Sequence, residues 1–288
     1  MKNIIAFFLF CILLYSCQKT VTGIEVPQHT SKITISANLI LGDTVTANIG
    51  SSLSSYTSKS FPNYTDAKVY LLENDVVVDT LLYAYANTYT GNHIIKPGEK
   101  YTIKASAANL TEAEGSTVVP LQCFTINNLT SNISTFNQYG SSQRSGDITF
   151  TLNQLVNSGQ GYVISLVDKG NEMSEGFFLT STSPIFNDGE GFWSSTELKT
   201  YASNIGNSAQ IKISIDTSYY LHELDVTDSL ILQIKCLNTD KLLFAESMEK
   251  YQNTQDNPFA EAVLIYNNIQ NGYGIVMGEY NQKIMIKP

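Results

Sequence analysis

Charge is scarce in this chain: 15% of its 288 residues are Asp, Glu, Lys or Arg, against roughly 25% in an average soluble protein. Helical bundles and coiled coils cover their exposed faces with such residues, so the shortage argues against both. Basic residues are scarcer still. The 17 Lys and Arg are outnumbered by 26 acids, which leaves a net charge of −9 and an isoelectric point near 4.8. A field of that sign repels phosphate backbones and argues against nucleic acid as a partner. The three histidines, His29, His93 and His222, are too far apart for the local spacings that hold zinc, and each reads as a solvated or satisfied side chain. There is no Gly-x-Ser-x-Gly elbow, so a serine hydrolase of that type lacks its nucleophile turn. With 7 Pro and 17 Tyr, the composition is also not that of a disordered chain.

Long apolar runs are missing except at the start. Lys2 precedes an uncharged stretch from Ile4 to Tyr15, whose helical length of about 18 Å falls short of a hydrocarbon core of about 30 Å. The run fits a signal peptide over residues 1–16 better than a spanning helix. It ends in Leu14-Tyr15-Ser16-Cys17, which resembles a bacterial lipobox, with Cys17 as the residue that receives lipid after cleavage. Residues 17–30 then read as a tether. Its first acid is Glu25, so it has no run of acids beside the cysteine of the kind that exports some lipoproteins to the cell surface. The expected location is the outer membrane, on either face. Of the later cysteines, Cys123 and Cys236 would meet an oxidising compartment that permits a disulfide. Both lie in short apolar runs that suit buried thiols equally well, so their pairing stays open.

From residue 31 the hydrophobic period is two. Ile33, Ile35, Ala37 and Leu39 alternate with polar residues, as do Val45, Ala47 and Ile49, which predicts half-buried strands. Ala67–Leu72 and Val76–Leu82 flank Glu73-Asn74-Asp75, a hairpin signal. Ile94-Ile95 and Tyr101–Ile103 flank Lys96-Pro97-Gly98-Glu99, whose Pro-Gly pair favours a tight turn. Short strands punctuated by turns predict an immunoglobulin-like β-sandwich over 31–120, with Pro120 at its boundary. The remainder, 121–288, reads as a second β-rich domain, with strands at Asp147–Leu155, Gly161–Asp168, Gln210–Thr217 and Leu230–Asn238. Two short helices are expected within it. One opens at the capping-box pair Ser194 and Glu197 and runs through Leu198 and Tyr201; the other covers Leu242–Tyr251, with Phe244, Met248 and Tyr251 on one face. The fold class is mainly all-β.

The tail is more specific. Asn257-Pro258-Phe259 precedes Asn267-Asn268-Ile269-Gln270-Asn271-Gly272-Tyr273-Gly274. This resembles the closing motif of a family of Bacteroidota outer-membrane lipoproteins known as domain of unknown function 4249, in which Ser usually stands at the position of Asn267. Asp66–Val69, the stretch Pro97–Ile103 with its Gly-x-x-Tyr hairpin pattern, Val118–Pro120 and Phe186–Gly189 match other family elements in order. The resemblance implies a lipoprotein associated with a TonB-dependent outer-membrane transporter. It implies no reaction.

Other motifs are weaker. Gly272–Gly278 has nucleotide-loop glycines, but no long helix follows to direct amides at a phosphate. Asn187–Gly191 gathers oxygen ligands without the further acids of a calcium loop, and Asp168, Glu172 and Glu175 read as a solvated acidic turn. Phe177, Phe178, Phe186, Phe192 and Trp193 crowd a polar stretch. Aromatic faces in such a setting can anchor a partner or stack on a sugar, with packing over the second domain as the alternative; Phe177, Phe178, Phe192 and Trp193 are the candidate contact residues. No catalytic residue, metal site or cofactor is expected. The expected function is that of a lipid-anchored, non-enzymatic accessory or binding partner of a TonB-dependent transporter in nutrient uptake, with its cargo, small molecule or glycan, left open by the sequence. The alternative is a structural or adhesive envelope protein, since a sandwich on a lipid tether suits that role too.

Overall fold

The computed structural model describes residues 29–54, 60–138, 141–155, 161–168, 179–186, 196–216, 229–257 and 259–286. The expected signal peptide and Cys17 lie outside them. The alternating N-terminal residues form β1 (Ile33–Ile40) and β2 (Thr44–Ser51), followed by β3 (Lys68–Glu73), β4 (Val76–Tyr85), β5 (Thr88–Ile94), β6 (Lys100–Ser106) and β7 (Ala113–Val118). The β3–β4 hairpin turns through Asn74 and Asp75, at φ of 49° and 67°, the left-handed pair that matches strand twist.

Strand β4 lets these strands form two layers. Up to Leu81 it pairs with β3, and from Leu82 it pairs with β5. Where the strands part, the Asp79 carboxylate accepts from the backbone N–H groups of Asn92 at 2.6 Å and His93 at 2.8 Å, replacing ladder bonds that would otherwise be lost. Residues 95–99 differ from the expected hairpin. β5 pairs with β2 and β4, whereas β6 pairs with β3 and β7, so the Pro97-Gly98 turn carries the chain from one layer to the other. A Pro-Gly pair determines a local reversal and not the partner of the strand that follows it.

The second half of the chain adds β8 (Phe124–Gln138), β9 (Ser141–Gln154), β10 (Gly161–Asp168), β11 (Leu179–Ser181), β12 (Glu197–Tyr201), β13 (Ser208–Asp216) and β14 (Leu230–Leu237). After them come β15 (Ile269–Gln270) and β16 (Tyr273–Ile286). The helices are α1 (Ala202–Ile205) and α2 (Thr239–Thr254). Glu197–Tyr201, expected to be helical, is a strand beside β10. Its period is two: Thr200 is buried and Leu198 packs on the core, while Lys199 and Tyr201 are exposed. Helix begins only at Ala202. The second helix is where the periodicity placed it, extended at both ends.

Twelve strands make one continuous sheet in the order β12-β10-β14-β16-β1-β2-β5-β4-β3-β6-β7-β15, and β11-β13-β9-β8 make a second. Two cores result. One gathers Ile33, Ile35, Val69, Leu71, Tyr101 and Ile103, the other Phe124, Phe150, Tyr162, Ile164, Ile213 and Leu232. Strand β16 belongs to both. Tyr273–Glu279 runs parallel to β1, and Glu279–Ile286 runs antiparallel to β14. Residues Ser31–Pro288 accordingly form one compact unit.

Cys123 and Cys236 are joined by a disulfide across 113 residues, tying the start of β8 to β14 between the two layers of the second sandwich. Closing a loop of that length is worth about 4–5 kcal/mol in the chain-entropy treatment. The double variant Cys123→Ala/Cys236→Ala is expected to lower the thermal midpoint by about 10 °C or more in a unit of this size, as read by circular dichroism; an unchanged midpoint would contradict this role for the bridge.

Candidate functional site

The site is built where β10, β12 and β14 meet α2. In β10, Tyr162, Ile164 and Leu166 enter the second core, so the alternating residues Gly161, Val163 and Ser165 face the other way. The register places Lys199 of β12 and Lys235 of β14 on either side of Val163. Glu197 stands 3.5 Å from the Lys235 ammonium. Helix α2 roofs this face with Leu242, Ala245, Glu246, Glu249 and Lys250, enclosing a groove of about 500 Å³. At one end the Tyr201 hydroxyl donates to Glu246 at 2.8 Å, bridging floor and roof.

The first turn of α2 is held rigidly. Asn238 caps it by accepting from the Lys241 N–H at 3.0 Å, which satisfies one of the orphan donors of a helix start. The same side chain donates to Thr117 Oγ1 at 2.5 Å and to the Val118 carbonyl at 3.0 Å. Asp240, where a negative charge suits the helix dipole, accepts from Thr117 at 2.6 Å and from the Tyr266 hydroxyl at 2.8 Å. Lys241 donates to Asn38 Oδ1 of β1 at 3.1 Å and pairs with the buried Glu279 of β16. Burial pushes the Lys241 ammonium below the ordinary lysine value, against the opposing pull of Glu279. Beyond this turn the hold weakens, and no residue of α2 is fully buried.

A second polar cluster lies on the first sandwich. Lys96 Nζ donates to Glu73 Oε1 at 2.8 Å; Tyr101 OH donates to Glu73 Oε2 at 2.8 Å, and His93 Nε2 is equally close to that oxygen. The hydrogen bond from Lys96, with those from Tyr101 and His93, outweighs partial burial and holds the Glu73 carboxyl at about 2, below its ordinary 4.5. All three neighbours are spent on one carboxylate, so the cluster reads as a clasp between β3, β5 and β6.

The C-terminal motif is also structural. Asn268 Nδ2 donates to the carbonyls of Val276 at 2.7 Å and Ser116 at 3.1 Å, while its Oδ1 accepts from the Val276 N–H at 2.9 Å. The side chain thus stands in for a backbone rung between β7 and β16. Gly274 has φ of +116°, and a Cβ there would lie 2.0 Å from the Ile35 carbonyl oxygen; at Gly272 it would lie 2.5 Å from that of Ile33. These glycines let β16 lie directly on the backbone of β1.

Phe177, Phe178, Phe192 and Trp193, with Asn187–Gly191 and His222, lie outside the described residues. Phe186, the one described member of the aromatic group, packs against the second core. Among the described residues no group of three or more His, Cys, Asp or Glu is placed to hold a metal, and no helix is long and apolar enough to cross a membrane. No local motif in the sequence marks the groove residues. Alternation of Glu197, Lys199 and Tyr201 on one face was the available signal, and the capping-box pattern obscured it.

The Glu73 clasp has a pH signature. A carboxyl held below its unfolded value stabilises fully above the ordinary 4.5, and that contribution is lost as pH falls toward about 2. With hydrogen bonds to a charged group worth about 1.5–3 kcal/mol, Glu73→Gln is expected to cost about 2 kcal/mol near neutral pH. The gap in urea midpoint between wild type and variant should close between pH 4.5 and 2. A gap independent of pH would contradict the clasp.

The family model described as domain of unknown function (DUF4249) matches residues 20–283. No curated protein matches the chain. With the match covering both sandwiches, α2 and the Asn-Gly-Tyr-Gly turn that seats β16 on β1, this chain belongs to the DUF4249 family.

Proposed function

We propose that this protein is a lipid-anchored outer-membrane lipoprotein that works by binding, as an accessory partner of a TonB-dependent transporter in nutrient uptake. The observation that carries the reading is a pairing of two cysteine features. Leu14-Tyr15-Ser16-Cys17 resembles a lipobox, and the folded unit contains a disulfide between Cys123 and Cys236. A bridge of this kind persists outside the reducing cytosol, where a lipobox cysteine would also deliver the chain. The transporter enters through the resemblance of the closing motif to Bacteroidota lipoproteins.

Binding without catalysis is supported by how the polar clusters are used. The carboxylates of Glu73 and Asp240 and the ammonium of Lys241 each spend their hydrogen bonds on neighbouring strands or helix. They hold elements together. A lipid at Cys17 would confine the protein to the plane of its partner, and that raises effective concentration enough for a small interface to serve.

Purification of the lipidated protein from its own outer membrane in mild detergent, after gentle crosslinking, tests the proposal by mass spectrometry. The expected result is an acylated Cys17 peptide together with a stoichiometric TonB-dependent transporter. Repeated recovery of the protein alone would overturn the transporter reading and favour a structural or adhesive envelope role.

A further inference from the structure

The groove beneath α2 separates its charges by wall. On the sheet side Lys199 and Lys235 flank Val163, two strand spacings or about 10 Å apart; Glu197 lies 3.5 Å from the Lys235 ammonium, so Lys199 carries the excess charge of this wall. That wall is net positive. On the helix side Glu246 and Glu249 outnumber Lys250, since Lys241 is already paired with Glu279. That wall is net negative. Apolar Val163, Leu237, Leu242 and Ala245 lie between.

A helix facing a sheet of opposite charge would be expected to settle onto it. Here α2 is anchored at its first turn and again at Glu246, which accepts from Tyr201 at 2.8 Å, and at Ser247, which accepts from the Tyr266 N–H at 2.9 Å; yet it buries no residue completely and leaves about 500 Å³ beneath it. That volume lies within the range of roughly 300–1,000 Å³ of small-molecule sites. A ligand complementary to both walls carries an anion at one end, a cation at the other and a body that tolerates apolar contact.

We propose that the groove binds a short peptide with free ends, its carboxylate seated between Lys199 and Lys235 and its ammonium against Glu246 and Glu249. Charge-assisted hydrogen bonds at both ends would supply most of the selectivity, and Val163 and Leu242 would contact the peptide body. The proposal rests on the reading of the protein as a binding lipoprotein and adds the class of its cargo. It can fail independently, because transporter recovery and peptide binding are measured separately.

The test is calorimetric titration of the full chain in detergent with trialanine, N-acetyl-trialanine and trialanine amide. Trialanine is expected to saturate with a dissociation constant of about 10⁻⁵–10⁻³ M, and each blocked form to bind about tenfold or more weakly. In Lys199→Gln/Lys235→Gln, trialanine and its amide should bind alike. In Glu249→Gln, the penalty for N-acetylation should shrink. Absence of saturable binding up to about 10 mM trialanine, or equal wild-type affinity after either end is blocked, would overturn the proposal. The comparison of blocked ligands needs no variant, so it stands even if a substitution disturbs folding.

Discussion

One strand serving two cores is the constraint on which the rest of this structure depends. β16 runs parallel to β1 as far as Glu279 and antiparallel to β14 from there on. Parallel pairing of the first and last strands of the unit requires the chain to return from the far end, and the return must arrive in register. Asn268 and the Gly272–Gly274 turn accomplish this by laying the incoming strand against the β1 backbone with no side chain between. At the point of partner exchange sits Glu279, 3% exposed and paired with Lys241. A buried pair adds little net stability over apolar residues of the same shape, but removal of one partner leaves an uncompensated charge. Its position suits a marker of register more than a source of stability.

The same exchange point places the groove. Asn238 contacts Thr117 and Val118 of the first sandwich and Gly278 of β16 while capping α2. The helix therefore leaves from the junction, secured at its first turn, and extends over β10, β12 and β14. Rigidity at the root and space beneath the body follow from that geometry. A site formed this way has its sheet wall fixed by the second core and its helix wall held at the first turn, at Glu246 and at Ser247.

Much of the first sandwich was legible because Ile33–Leu39 and Val45–Ile49 alternate strictly, and a half-buried strand needs little else. Glu73-Asn74-Asp75 announced its hairpin through residues that tolerate positive φ. The Pro97-Gly98 turn was legible as a turn, but its partners were set by the division of β4 between two layers, a tertiary fact. Strand β8 was hidden for a different reason. Its Thr, Ser and Asn residues put few apolar side chains into the core and supply almost no period-two signal. In the tail, the residues that look suited to binding a phosphate or a partner are used internally, and their chemistry became clear only with Ile35 and Val276 opposite them. The charges that line the groove come from two strands and a helix, and no local spacing records such a meeting.

Differential scanning calorimetry of the full chain tests most directly whether the shared strand makes the two sandwiches one folding unit. The account predicts a single transition in which calorimetric and van't Hoff enthalpies agree, because unseating β16 from either core deprives the other of a central strand. Two separable transitions, one for each core, would contradict it.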